Sequence, residues 1–303
     1  MAVKNYISLV KFEHAIFAMP FAMIGYALGI FADNSGFCLQ TFILIILCMV
    51  FARNAAMSFN RYADRFIDAK NPRTESRELP TGTIRPRSAL IFIIVNATAF
   101  IITCWFINTL VFFLSPLALL VILGYSLTKK YSSLCHFVLG VGLSLAPIGA
   151  YLAVTGVFAW LPIMFSLIVL LWSGGFDIIY ALQDKDFDVA ERLHSIPALL
   201  GLRRALAVSA AAHILVGVLT VCVGVFWDFG LWYATGAVIF LFLLMYQHLI
   251  VKADDLSRVN AAFFTSNGVA SVIFSIFTIM DCCWRLTALF RLSIAANLLL
   301  LRP

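Results

Sequence analysis

Apolar runs of about twenty residues recur along almost the whole chain, and this repetition decides the solvent in which it folds. A helix crosses the roughly 30 Å hydrocarbon core of a bilayer in about 20 apolar residues. Nine such runs are read at 13–32, 40–60, 88–108, 110–128, 134–154, 159–179, 205–226, 229–250 and 262–281. The chain is 63% hydrophobic and 12% charged, with a mean hydropathy of +1.00. A soluble domain carries about twice that share of charge. Backbone amides in lipid must bond within their own segment, so the runs predict helices. The expected fold is all-α, an integral membrane bundle of about nine transmembrane helices. The first run follows Lys11, Glu13 and His14, lacks a signal-peptide cleavage site, and is read as the first span.

The loops between the runs alternate in charge. Lys4 and Lys11, the stretch Arg61 to Arg87, Lys129 and Lys130, Lys185 to Arg204, and Lys252 with Arg258 fall in one set. The other set, around 33–40, 108–115, 155–160 and 227–230, holds no Lys or Arg. Of the 21 basic residues, Arg285, Arg291 and Arg302 follow the ninth run and Arg53 lies inside the second; the other 17 share one side. By the positive-inside rule that side is cytoplasmic, which puts the N-terminus inside a multi-pass protein of the cell's inner membrane. The rule also accounts for the net charge of +6, so no nucleic-acid partner is expected.

Two acidic stripes lie at the basic ends of spans. Asn60, Asp64 and Asp68 are spaced i, i+4, i+8, one face of a helix over about 12 Å. Asp177, Asp184 and Asp188 close another run, and spacings of 7 and 4 predict one face there too. Each leads into a long basic loop, 61–87 or 180–204, as in an internal repeat of a helical bundle. Ionisable groups beside lipid are costly and usually functional.

Five aspartates at two helix ends require counter-charge, and a hard divalent cation supplies it. Mg²⁺ takes few carboxylates, keeps waters and bridges to substrate phosphates, so two facing stripes imply Mg²⁺ holding a diphosphate, with Asn60 as a neutral oxygen ligand or an amide donor. Arg73, Arg77, Lys129 and Lys130, with Arg61 and Arg65, would neutralise phosphate oxygens and the charge that develops as a carbon–oxygen bond breaks. Arg53, two turns before Asn60, would pair with an aspartate or bind a substrate carboxylate. Most of the 28 phenylalanines read as lipid-facing or core residues, and a few would line a groove for an apolar chain and its carbocation. The seven cysteines show no zinc-type spacing and read as small apolar core residues. Lys11, Glu13 and His14 read as an interfacial cap. Residues 282–303 are a tail without assigned function, read as an interfacial helix or disordered, outside a membrane domain of residues 1–281.

The segment 60–68, NRYADRFID, followed by AKNPRTESRELPTG, resembles the first aspartate-rich motif of the UbiA superfamily of membrane prenyltransferases. DIIYALQDKDFD at 177–188, followed by SIPALLG, resembles the second, and YSLTKK at 125–130 resembles a further family segment, with Lys130 where Arg is common. The opening KFEHAIFAMPFAMIG is similar to the 4-hydroxybenzoate polyprenyltransferase-like branch, especially to members from menaquinone-making bacteria. The resemblance spans about residues 4–280. It implies nine helices around a central cavity, with an isoprenoid diphosphate held through Mg²⁺. Asn60, Asp64 and Asp68 would serve one metal site. Asp184 and Asp188, with Asp177, would serve the other. Arg77 and Lys129 would contact diphosphate, and Tyr125 and Tyr180 would line the cavity.

The expected activity is Mg²⁺-dependent transfer of a polyprenyl group from a polyprenyl diphosphate to an aromatic acid acceptor such as 4-hydroxybenzoate, in ubiquinone or menaquinone biosynthesis. Asp64, Asp68, Asp184, Asp188 and Lys129 would carry the chemistry. The same machinery would suit a dihydroxynaphthoate, heme or glycerol-phosphate acceptor. A cation-coupled transporter would place its carboxylates mid-span on broken helices. These lie at helix ends, and a structural scaffold would need no paired acidic stripes.

Overall fold

A computed structural model describes the backbone of residues 2–10 and 12–300, and the side chains of 5–10 and 15–285. The side chains of Lys11, Glu13 and His14 therefore lie outside the described residues, as do those of the tail beyond Arg285. A short helix α1 (Ala2–Val10) leads through a 3-10 turn to α2 (Met19–Asp33). Then follow α3 (Leu39–Asp68), α4 (Pro86–Trp105), α5 (Thr109–Thr128), α6 (Cys135–Thr155) and α7 (Trp160–Ala181). Two short helices, α8 (Lys185–Ala190) and α9 (Ile196–Leu200), precede α10 (Leu202–Phe226), α11 (Leu231–Ile250) and α12 (Asn267–Leu300). Among the described residues nine helices are long and apolar enough to cross a membrane, in the nine places where apolar runs predict them. This is a multi-pass membrane bundle.

Local chemistry sets the helix ends. Pro86 sits at the first turn of α4, where its missing N–H costs nothing. Asn108 caps α5 by accepting from Val111 N–H at 2.9 Å. Gly156, at φ 66°, supplies the left-handed residue that ends α6. Large apolar side chains such as Phe113, Leu120 and Val238 face outward, as lipid permits. Inside, Phe21, Phe165, Trp172, Phe240 and Phe274 are fully buried among α2, α7, α11 and α12. Small residues let the helices meet: a Cβ on Gly25 of α2 would stand 2.0 Å from the Pro147 carbonyl oxygen of α6.

One reading changes. The second stripe is not one helical face. A 3-10 turn, Leu182–Asp184, separates α7 from α8, and its tighter winding rotates α8 relative to α7. Asp177 and Asp184 line a cavity, whereas Asp188 turns into the protein and is fully buried. Helix α12 runs from Asn267 to Leu300, through residue 281.

Candidate active site

Helix α3 has 30 residues and is about 45 Å long at 1.5 Å per residue. That exceeds the roughly 30 Å hydrocarbon core of a bilayer, and Asn60, Asp64 and Asp68 lie on the last turns of the helix. Those turns, the loop after them, the α5–α6 connection and the end of α7 enclose a polar cavity of about 610 Å³. All thirteen of the candidate residues except Asp188 line it: Asn60, Asp64 and Asp68, Arg53, Arg73 and Arg77, Tyr125, Lys129 and Lys130, and Asp177, Tyr180 and Asp184.

Each carboxylate has a basic or imidazole partner. Arg77 Nη1 donates to both oxygens of Asp68, at 2.7 and 2.9 Å. Arg73 crosses to the second stripe, its Nε and Nη2 holding the two oxygens of Asp184 at 2.9 and 2.5 Å. Its Nη1 donates to the Tyr180 hydroxyl at 3.0 Å, and its guanidinium lies 5.2 Å from that ring's centre. Burial works against the Arg73 charge, but the bonds to Asp184 and the field of Asp184 and Tyr180 outweigh it and hold the guanidinium above its ordinary pKa. Lys130 Nζ stands 3.7 Å from Asp64 and donates to the Ala63 carbonyl. Lys129 pairs with Asp188 at 2.7 Å.

Several contributors escape a reading of the sequence. Asn71 donates to Asp184 at 3.2 Å and accepts the Arg73 N–H, which fixes the arm that crosses the cavity. Ser195 donates to Asp188 at 2.7 Å while accepting from Ala198 N–H as the cap of α9. The Ser-Ile-Pro start of a short helix is a capping signal that would find it. His136 has no such signal, being a lone histidine at the head of an apolar run. Its Nε2 accepts from Ile196 N–H at 3.3 Å, so its Nδ1 carries the proton and donates to Asp177 at 2.7 Å.

Beside the polar cavity lies an apolar one of about 490 Å³ between α2, α3, α4, α5 and α6. The two share Arg53, Tyr125, Leu139 and Leu143. The Cys48 and Cys104 thiols meet in the apolar wall at 3.7 Å, and among the described residues every cysteine is a free thiol. The pair of cavities suits a molecule with an anionic head and a long apolar tail.

Donor chemistry fits a hard cation on that head. Asn60, Asp64, Asp68 and Asp184 offer only oxygen. Among the described residues no three His, Cys, Asp or Glu side chains stand close enough to hold a metal alone. A cation here would complete its shell with waters and substrate oxygens, as Mg²⁺ does. Asp188 would reach it only by giving up Lys129.

A helical membrane bundle in which a charged cavity borders an apolar one suits the class of membrane-embedded enzymes that transfer lipid chains. The chain belongs to the UbiA prenyltransferase family, whose model matches residues 18–268. It is a prenyl-transferring enzyme of the 4-hydroxybenzoate polyprenyltransferase-like kind. The 4-hydroxybenzoate octaprenyltransferase of Tolumonas auensis is 31% identical over 245 residues, covering 77% of this chain and 82% of that protein. That of Aliivibrio salmonicida is 30% identical over 235 residues, covering 77% and 81%. The apo structure of a UbiA homolog from Aeropyrum pernix K1 superposes with a TM-score of 0.80 at 31% identity, covering 89% of this chain and 98% of that one. A homolog from Archaeoglobus fulgidus, bound to DMAPP and Mg²⁺, shares the fold with a TM-score of 0.70 at 20% identity over 92% and 99%.

Proposed function

We propose that this enzyme transfers a polyprenyl group from an allylic isoprenoid diphosphate to an aromatic acid of the 4-hydroxybenzoate type, a step of quinone biosynthesis. The observation that carries the reading is the junction of the two cavities, where Arg53 and Tyr125 border both the charged and the apolar space. In this reading the diphosphate lies among Arg73, Arg77, Lys129 and Lys130, with its chain in the apolar cavity. Asn60, Asp64, Asp68 and Asp184 would hold Mg²⁺, which supplies charge neutralisation on the leaving diphosphate. The basic side chains stabilise the negative charge as the allylic carbon–oxygen bond breaks and its electron pair leaves with pyrophosphate. Arg53 binds the acceptor's carboxylate at the junction. The hydroxyl-activated ring attacks the allylic carbon and then passes its ring proton to a carboxylate of the cavity. Leu139, Leu143, Phe17 and Phe176 keep water from the cation.

The basic loops and the N-terminus face the cytoplasm in this reading, and residues 1–281 form the catalytic membrane domain. Helices α5 and α6 stay continuous through Pro116 and Pro147, which speaks against the broken mid-membrane helices of a transporter. The test incubates purified protein in lipid nanodiscs with mixed isoprenoid diphosphates, with 4-hydroxybenzoate or 1,4-dihydroxynaphthoate, and with or without Mg²⁺. Mass spectrometry should find prenylated 4-hydroxybenzoate and pyrophosphate in the Mg²⁺ samples only. Product from the naphthoate alone would reassign the acceptor, and substrate uptake without pyrophosphate would sink the reading.

A further inference from the structure

Glycine inside a helix costs stability, because it frees the unfolded backbone and packs nothing, so each one calls for a reason. On α6, Gly140 has one: a Cβ there would stand 2.4 Å from the Leu170 carbonyl oxygen of α7. Gly142 and Gly149 of the same helix do not. Beyond the backbone of its own helix, a Cβ on Gly142 would meet only Ile122 Cγ2, at 3.9 Å, and one on Gly149 would meet nothing within 4 Å. Helix packing requires neither glycine, and both line the apolar cavity.

Their depth in that cavity follows from the helix. His136 lines the polar cavity alone, Leu139 and Leu143 line both, and Ala146, Gly149 and Ala153 line the apolar one alone. Leu139 to Ala153 therefore measures the path open to a chain, about 21 Å at 1.5 Å per residue. Gly142 lies about 5 Å down this path and Gly149 about 15 Å. An extended isoprenoid chain advances about 5 Å per unit, as four carbon–carbon bonds of about 1.5 Å in a zigzag. Gly142 thus falls beside the first unit and Gly149 beside the third. Phe158, which is 57% exposed, borders the far end, so a longer chain has a way out to lipid.

We propose that Gly142 and Gly149 are specificity-determining residues. By leaving the path free of side chains they admit donors of four or more isoprene units, and each controls the lengths that pass its own depth. The proposal rests on the prenyl-diphosphate reading of the two cavities and adds a measure of length to it.

The experiment compares full-length wild type, Gly142→Leu and Gly149→Leu in lipid nanodiscs. Donors are diphosphates of one, two, four and eight isoprene units, with 4-hydroxybenzoate and 1,4-dihydroxynaphthoate both present. It measures kcat/KM for each donor and the melting temperature without ligand. Wild type should use the eight-unit donor at least as well as the two-unit one. Gly149→Leu should stay within about twofold of wild type on one and two units and lose about tenfold on four and eight. Gly142→Leu should keep the one-unit donor and lose about tenfold from two units upward. Both variants should melt at or above the wild-type temperature, because leucine enters open space and favours helix. The proposal is overturned if the two variants cut the same lengths, if either keeps the wild-type rate on eight units, or if wild type itself rejects that donor while using short ones. It is equally overturned if either variant melts well below wild type or fails to fold, since protein would then already fill the space. A wild type that transfers none of the donors would instead remove the proposed function.

Discussion

Arg73 shows what one side chain does here. It leaves the loop after the first stripe, holds both oxygens of Asp184 and touches the Tyr180 hydroxyl. Lysine in its place keeps the charge but cannot serve two oxygens and a phenol from one plane. Arg73→Lys should therefore raise KM for the prenyl diphosphate about tenfold. Steady-state assays that find an unchanged KM would show that the fork is dispensable. Asp64→Asn and Asp184→Asn should each cut kcat/KM by about 100-fold while membranes still accumulate the protein. Wild-type rates from either variant would exclude the carboxylate from the site. These residues were legible in the sequence because acids and arginines beside lipid need a reason. Asn71 and His136 were not, since an amide in a polar loop and a histidine in an apolar run carry no spacing that marks them.

At the scale of elements, the stripes differ in a way their spacing hides. The first is continuous helix, so i, i+4, i+8 translates directly into one face. The second crosses from α-helix to 3-10 turn to α-helix, and periodicity alone reveals no change of winding. The result is a division of labour: Asp184 faces the cavity, while Asp188 ties Lys129 to the start of α9 through Ser195. Asp188→Asn should lower stability by about 2 kcal/mol, less than the roughly 3–5 kcal/mol of a fully buried pair because Lys129 is 33% exposed. Ser195→Ala removes both a cap and a buried bond, and should cost about 1–2 kcal/mol. Thermal melts in detergent measure both, and two wild-type curves would refute the tie.

For the whole molecule, the nine spans and their charge alternation were readable because lipid leaves the backbone few choices. The cavities were not, since they arise from contacts between helices distant in sequence, such as Gly25 of α2 against Pro147 of α6. Orientation has a direct check in exposed Cys38, on a loop without Lys or Arg. In a variant keeping only that cysteine, a membrane-impermeant maleimide should label intact spheroplasts; labelling only after lysis would invert the topology. Chelation with EDTA should abolish transfer and Mg²⁺ should restore it. The melting temperature in EDTA should fall by no more than a few degrees, because side-chain ion pairs already neutralise the carboxylates; a collapse would make the metal structural. The length of α3 has a further consequence. In the proposed reaction it would set the reacting carbon at a phase boundary, with a donor dissolved in two dimensions and an acceptor in three. Diluting the bilayer with inert lipid should then slow the reaction at constant bulk donor concentration, and the acceptor's saturation curve should ignore that dilution.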